Sequence, residues 1–219
     1  MAEDFSTAYW EQHWAKAYRD HADAVRERAP NPQLVAVAGD LTPGTALDAG
    51  CGHGADAVWL ASHGWRVMAV DVSTVALRHA REHAESLGTD VAGRIDWLPA
   101  DLGTWTPTEE QFDLVSTHYV HGVEPRALFR RLAAAVAPGG TLLIVGHDPS
   151  DPHTSHVCAP DVHVTAGQVA TLLDPDRWDI LVAEARARPA TDHHGDRAPA
   201  IDAVLCARRH AAASNAEFP

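Results

Sequence analysis

The run Ala46-Leu47-Asp48-Ala49-Gly50-Cys51-Gly52-His53-Gly54 constrains the fold more tightly than any other stretch of the chain. It reads as a short apolar strand that ends in an acid and enters a turn with glycines at alternate positions. An apolar segment with the pattern of a helix, Ala55 to His63, follows. Glycines at such a turn let the backbone bend sharply and bring main-chain N–H groups close to a ligand with no Cβ in the way. A strand, glycine turn and helix in that order put the turn at the carboxyl edge of the first strand of an α/β sheet, where nucleotide-like ligands bind.

The rest of the chain alternates in the same manner. Trp65 to Val70 is an apolar strand ending at Asp71, and Ser73 caps a helix to about Leu87. Arg94 to Leu98 is a strand with Asp101 just beyond it, and Phe112 to Thr117 is the next. Pro125 opens a helix to Ala137, Pro138-Gly139-Gly140 breaks it, and Thr141 to Gly146 is a fully apolar strand. Upstream, Ser6 to Ala29 reads as a helix with Trp10, Trp14 and Tyr18 at four-residue spacing, and Asn31-Pro32 opens a short helix through Gly39. Strands alternating with helices predict a parallel sheet covered on both faces.

After Gly146 the pattern changes. His147 to Val164 is a long loop rich in proline and histidine, followed by a helix opened by Thr165 with Gln168 as capping-box partner. Two strand-like runs, Trp178 to Ala187 and Ala200 to Arg208, flank a polar turn at Thr191 to Asp196. The expected fold is a Rossmann-like three-layer α/β sandwich, a seven-stranded mostly parallel sheet closed by a C-terminal antiparallel hairpin.

With 219 residues the chain is read as one globular unit: a helical cap over residues 1–40, the main domain over 41–210 and a disordered tail over 211–219. A net charge of −13 argues against a nucleic-acid partner. The three cysteines are few and far apart, so no disulfide framework is implied, and no run approaches membrane-spanning length. These features point to the cytoplasm. Lys16 is the only lysine, and the arginine and alanine bias suits a GC-rich bacterial genome.

Two ligands compete for the glycine turn. Gly50-x-Gly52-x-x-Ala55 with Asp71 downstream satisfies a relaxed dinucleotide fingerprint and would suit an NAD(P)-dependent oxidoreductase. S-adenosylmethionine is favoured by Asp48, which would face a pyrophosphate badly but suits an ammonium or sulfonium, and by Asp101 beyond the third strand. The terminal hairpin favours it too.

At this point the chain resembles the class I S-adenosylmethionine-dependent methyltransferases over nearly its whole length. The matching stretches are Leu47 to Gly54, Val70-Asp71-Val72-Ser73, Pro99-Ala100-Asp101-Leu102, Phe112-Asp113-Leu114-Val115 and Pro138-Gly139-Gly140-Thr141-Leu142. In its size, N-terminal aromatic helix and hairpin it looks most like the bacterial tellurite and thiopurine methyltransferase branch. The resemblance implies S-adenosyl-L-methionine as cofactor. Gly50, Cys51 and Gly52 would lie against its methionine part, with Asp48 orienting the ammonium. Asp71 would accept the ribose hydroxyls, Val72 and Leu102 would sandwich the adenine, and Asp101 would take its exocyclic N–H. Thr117 and its neighbours at the end of the fourth strand would line the methyl-transfer side.

Methyl transfer from a sulfonium needs alignment and exclusion of water, and a base only if the acceptor arrives protonated. His118, His121 and His147, at the exits of the fourth and fifth strands, are the candidate bases or orienting groups. His153-x-x-His156-x-Cys158 fits no established zinc spacing, so no metal is expected. The resulting expectation is a methyltransferase acting on a small-molecule acceptor, as a monomer or homodimer. A binding protein that keeps the cofactor pocket without turnover is the third possibility.

Overall fold

The computed structural model describes residues 5–151, 164–191 and 197–212. In chain order the elements are α1 (Thr7–Arg26), α2 (Pro32–Ala38), β1 (Thr45–Ala49), α3 (Ala55–Ser62), β2 (Arg66–Asp71), α4 (Thr74–Ser86), α5 (Thr89–Ala92) and β3 (Ile95–Pro99). They continue with β4 (Phe112–His118), α6 (Pro125–Ala135), β5 (Val136–His147), α7 (Ala166–Ala170), β6 (Trp178–Thr191) and β7 (Arg197–Arg209). The sheet order is β3-β2-β1-β4-β5-β7-β6, parallel through β5, with β7 antiparallel to both of its neighbours. This is the seven-stranded, hairpin-closed arrangement expected from the sequence.

The strands read as continuous apolar runs because both faces of the sheet are covered. On one face, α2, α3 and α4 supply Leu34, Leu60 and Leu77 to a core with Val67, Leu114 and Leu143. On the other, α6 and α7 bring Leu128, Leu132 and Val169 against Leu47, Val115 and Leu142. Helix α1 lies outside this sandwich and packs Trp14, Tyr18 and Val25 against Ala76 of α4. Glu11 of α1 also accepts hydrogen bonds from the Thr74 N–H and hydroxyl, at 2.8 and 2.7 Å, and from the Ser73 hydroxyl at 2.9 Å. That carboxylate at the amino end of α4 both caps the helix and complements its dipole. The aromatic helix is thereby pinned over the exit of β2.

Several boundaries differ from the sequence reading, each for a local reason. Helix α6 stops at Ala135 rather than Ala137, and β5 begins at the next residue. Pro138 disfavours helical backbone at Ala137, and Val136 gains a fully buried position paired with Phe112. Pro138-Gly139-Gly140 is therefore inside the strand, absorbed by a register shift between Phe112 and Leu114. The hairpin is longer than expected, with Pro189 opposite Pro199 beyond the point where β7 leaves β5. Neither residue need donate to a further strand there. Helix α1 kinks at His21, whose φ of −147° and ψ of 42° interrupt it. The capping box of Thr165 and Gln168 at α7 is present, while the four-residue α5 had no sequence signal. The loop residues His153, His156, Cys158 and His163, the His193-His194 turn and residues 213–219 lie outside the described residues. No helix among the described residues is long and apolar enough to cross a membrane.

Candidate active site

A cavity of about 860 Å³ opens at the carboxyl ends of the parallel strands. Its floor is the glycine turn. Gly50 and Gly52 have φ of 82° and 50°, in the left-handed region that side chains avoid. A Cβ at Gly50 would lie 2.5 Å from Val120 Cγ2, and one at Gly52 would lie 2.7 Å from the Trp14 ring. The turn thus sits tight under the aromatic helix and leaves its backbone bare toward the cavity. Asp71 braces it from the next strand: Oδ2 accepts the Gly52 N–H and Oδ1 accepts the Ser73 N–H, each at 2.8 Å. Burial pushes the Asp71 carboxyl up, with the nearby Glu11 charge adding to it, while these N–H groups pull the other way.

Of the residues singled out in the sequence, Gly50, Cys51, Gly52, Asp71, Val72, Asp101, Leu102, His118 and His121 line the cavity together. Asp101 also accepts the Gly103 N–H at 2.7 Å, so it shapes its own turn. Three others do not reach the wall. Thr117 turns its hydroxyl to the Ala49 carbonyl at 2.9 Å. His147 stacks between His121 and Tyr119, with centroids 5.6 and 4.7 Å away. Asp48 is 2% exposed and lies behind the glycine turn, because alternation along β1 directs it toward α3 and β4. These three therefore stand behind the residues that line the cavity.

Asp48, Asp56 and His118 form a cluster in which one ligating atom of each lies within 4.8 Å of the others. Asp56 Oδ2 is 2.7 Å from His118 Nδ1, and its Oδ1 accepts the Asn31 N–H at 2.6 Å. Burial pushes Asp56 up, but the His118 contact and the Asn31 N–H outweigh it and hold the carboxyl below its ordinary value. Asp48 goes the other way. Burial, then the Asp56 and Asp71 charges, drive it well above the carboxylate range against the pull of the Ala57 N–H, and among the described residues its Oδ2 has no hydrogen-bond partner. The same burial raises the Cys51 thiol. His53, stacked on Trp14, is pushed down to about 4 by burial and then by Arg28.

The opposite wall is aromatic. Phe5, Trp10 and His121 stack on one another at 5.5 to 6.4 Å, and Tyr119 stands nearby. Tyr119 has φ of 51°, a strained value for a bulky residue. Its hydroxyl donates to Asp202 Oδ2 at 2.8 Å, and Arg188 Nε contacts both that hydroxyl and Asp202, at 3.1 and 2.9 Å. The Arg188 guanidinium lies 5.4 Å from the Tyr119 ring centroid and lines the cavity. Asp56, Tyr119, Arg188 and Asp202 were not read from the sequence. Asp202, one residue inside an apolar strand, carried a signal in principle, since a lone acid in a buried run needs a partner.

Comparisons with known proteins agree with this geometry. Residues 46–140 match the family described as methyltransferase domain. Ribosomal RNA small subunit methyltransferase C of Alcanivorax borkumensis is 38% identical over 112 residues, which span 48% of this chain but only 33% of that protein. Thiocyanate methyltransferase 1 of Brassica oleracea is 28% identical over 188 residues, 80% of this chain and 81% of its own length. The structure of TehB from Haemophilus influenzae superposes with a TM-score of 0.67 at 19% identity, covering 91% of this chain and 66% of that one, and so shares the fold. The oxidoreductase reading is set aside.

Proposed function

We propose that this chain is a class I S-adenosylmethionine-dependent methyltransferase that transfers a methyl group to a small, soft acceptor already anionic at neutral pH, a reading supported by the methyltransferase-domain match over residues 46–140. A thiolate, a pseudohalide or a chalcogen oxyanion has that chemistry. The observation that carries the proposal is Arg188, a cation held on the cavity wall of a chain whose net charge is −13. Its Nε edge is taken up by Asp202 and Tyr119, and a guanidinium has five N–H donors, so its Nη groups, which have no hydrogen bond among the described residues, would hold an anion. The thiocyanate methyltransferase relative, by its name, acts on such an anion.

The residues present fit S-adenosyl-L-methionine. The glycine turn packs so tightly under Val120 and Trp14 that no Cβ fits there, and Asp71, Asp101, Val72 and Leu102 line the same cavity. When bound, the cofactor supplies an activated methyl on a sulfonium. The chain's own contribution is positioning: Arg188 and the wall of Phe5, Trp10, Tyr119 and His121 would orient the nucleophile and keep water out. A soft anion needs no base. The free thiols of Cys51 and Cys206 suit a reducing cytoplasm, and the acidic surface disfavours nucleic acid as acceptor.

A second reading has its own observation. His118 Nδ1 is held by Asp56, as in a base with an orienting carboxylate, and its Nε2 is buried with no partner among the described residues. That arrangement would serve an acceptor that arrives protonated. Incubation with S-adenosylmethionine and, in turn, thiocyanate, an alkyl thiol and a catechol, read by mass spectrometry of the methylated product, separates the two. The proposal expects thiocyanate to react, the alkyl thiol to react in proportion to its small thiolate fraction, and the catechol to lag thiocyanate by ~10²-fold or more, the usual cost of lacking a general base. Methylation of the catechol alone would overturn it. Tight S-adenosylhomocysteine binding with no transfer to any acceptor would leave a non-catalytic binding protein.

A further inference from the structure

Three carboxylates surround the glycine turn, and their compensation is unequal. Asp71 accepts two main-chain N–H groups, and Asp56 accepts one together with the His118 imidazole. Asp48 is the most buried of the three at 2% exposed; it receives a single N–H, that of Ala57, and among the described residues its Oδ2 has no partner. An ionised Asp48 would be a buried charge beside two like charges, which is costly unless a cation stands close by. Among the described residues no lysine or arginine side chain is hydrogen-bonded to it. The titratable groups facing it are Asp56 from α3, His118 from β4, Asp71 from β2 and the Cys51 thiol of the turn, with His53 beyond Asp56. The missing cation is one the reaction itself supplies and then removes. S-adenosylmethionine carries a sulfonium and has a net positive charge at neutral pH; S-adenosylhomocysteine is a thioether with none.

We propose that Asp48 holds a proton while the cavity is empty or occupied by S-adenosylhomocysteine, and releases it to solvent when S-adenosylmethionine binds. The inference rests on the cofactor reading. It makes Asp48 a specificity-determining residue that acts through charge, from behind the wall, without touching the ligand. Binding the methyl donor exchanges one proton for one positive charge, so the cluster keeps its total charge. Methyl transfer removes the positive charge, the carboxylate is left uncompensated, and it takes a proton back. The donor is thereby favoured over the spent product, which the same turn must let go.

Isothermal titration of the purified protein with each ligand, in two buffers of unlike ionisation heat between about pH 5.5 and pH 8, counts the protons exchanged. The expected result is release of close to one proton with S-adenosylmethionine and with sinefungin, whose amine carries the same charge. S-adenosylhomocysteine should exchange almost none. Affinity for the donor should rise up to about tenfold per pH unit across the titration of Asp48, while that for the product stays nearly flat. In D48N the difference in proton count should vanish, and the preference for donor over product should fall by about tenfold or more. H118Q should keep the difference, which separates Asp48 from the neighbouring imidazole. Equal proton counts for donor and product, sinefungin behaving as the product does, or loss of the difference in H118Q but not in D48N would each overturn the proposal. So would stoichiometric Zn(II) or Mn(II) binding that D48N abolishes, since a resident ion would then compensate the cluster. If neither donor nor product binds, the cofactor reading itself has failed, a distinct outcome. If D48N proves unfolded, the wild-type proton counts still decide.

Discussion

The two halves of the cavity are built in opposite ways. The half proposed to hold the cofactor consists of short contiguous stretches at the ends of β1, β2 and β3, and its turn carries no side chain at Gly50 or Gly52 and is braced by Asp71 and the Val70 carbonyl. The half beside Arg188 is assembled from side chains that meet only in the fold: Tyr119 reaches Asp202 across 83 residues and Arg188 across 69. A backbone cradle demands particular residues at fixed spacing, because only glycine tolerates φ of 82° at Gly50 under the Val120 side chain. A side-chain cluster demands only that its members arrive, from whichever strand. The first half is therefore constrained by local geometry and the second by the topology of the sheet.

If that division is right, substitutions should affect one ligand and spare the other. The largest effect is expected from Asp71→Ala. It removes a carboxylate that faces the cofactor half, and affinity for S-adenosylhomocysteine should fall by about 2–4 kcal/mol, the scale of two charge-assisted hydrogen bonds. The Gly52 and Ser73 N–H groups also lose their acceptor, so some loss of melting temperature should accompany it. The side chain is thus structural as well as proposed to face the ligand. Affinity unchanged within a factor of three would remove Asp71 from the cofactor site.

Arg188→Ala comes next and should have the complementary signature. Losing a charge-assisted contact to an anion costs about 1.5–3 kcal/mol, so kcat/KM for a sulfur anion should drop by roughly 10- to 100-fold. S-adenosylhomocysteine should bind as before. Arg188→Lys should recover little, because an ammonium cannot reproduce the planar fork held by Asp202 and Tyr119. A loss of cofactor affinity equal to the loss in kcat/KM would merge the two halves and break the comparison.

The same division explains what could be read in advance. The glycine turn, Asp71, Val72, Asp101 and Leu102 were legible because each sits at a strand end marked by its own apolar run, and the run sets the register. Seven strands and the closing hairpin were legible for the same reason. The burial of Asp48 behind the turn follows from alternation along a five-residue strand, a signal too short to read against the acid's position beside the glycines. Arg188 was hidden because β6 is an edge strand in which Arg186 and Arg188 alternate with alanines, a pattern that reads as solvent-facing polarity. Only the pairing of β7 with β5 shows that Asp202 lies opposite His147 and beneath Tyr119.

Burial in the cofactor half can be sharpened by pH. His53 titrates at about 4 in the folded chain, well below the value of about 6.5 for an exposed imidazole. A depressed folded value means the unfolded chain binds the proton first. The stability that depends on neutral His53 is complete above about pH 6.5 and is lost progressively as pH falls toward 4. Allowing for its partial exposure, about 1–2 kcal/mol is at stake. His53→Gln should flatten the urea-unfolding midpoint over that window while matching the parent's trend above it. An identical acid slope in the variant would show that His53 is not held neutral.

The smallest effect is expected from His121→Ala, and it bears most directly on the chemistry of the second half. His121 lines the cavity, with its ring stacked 5.5 Å from Phe5 and 5.6 Å from His147. As part of a wall it contributes shape and excludes water, which positions the acceptor but moves no proton. For a thiolate or a pseudohalide, turnover should then stay within about tenfold of the parent, because alignment is shared with Phe5, Trp10 and Arg188. As a general base it would instead be worth ~10²–10⁴ in turnover, with cofactor affinity untouched. The acceptor series turns this into a sharper test. A wall residue should cost thiocyanate and an alkyl thiol about equally, since both lose the same surface. A base should cost only the thiol that arrives protonated. A deficit confined to that thiol would move His121 from the wall into the proton chemistry, and the soft-anion reading would have to yield to one in which the protein ionises its acceptor.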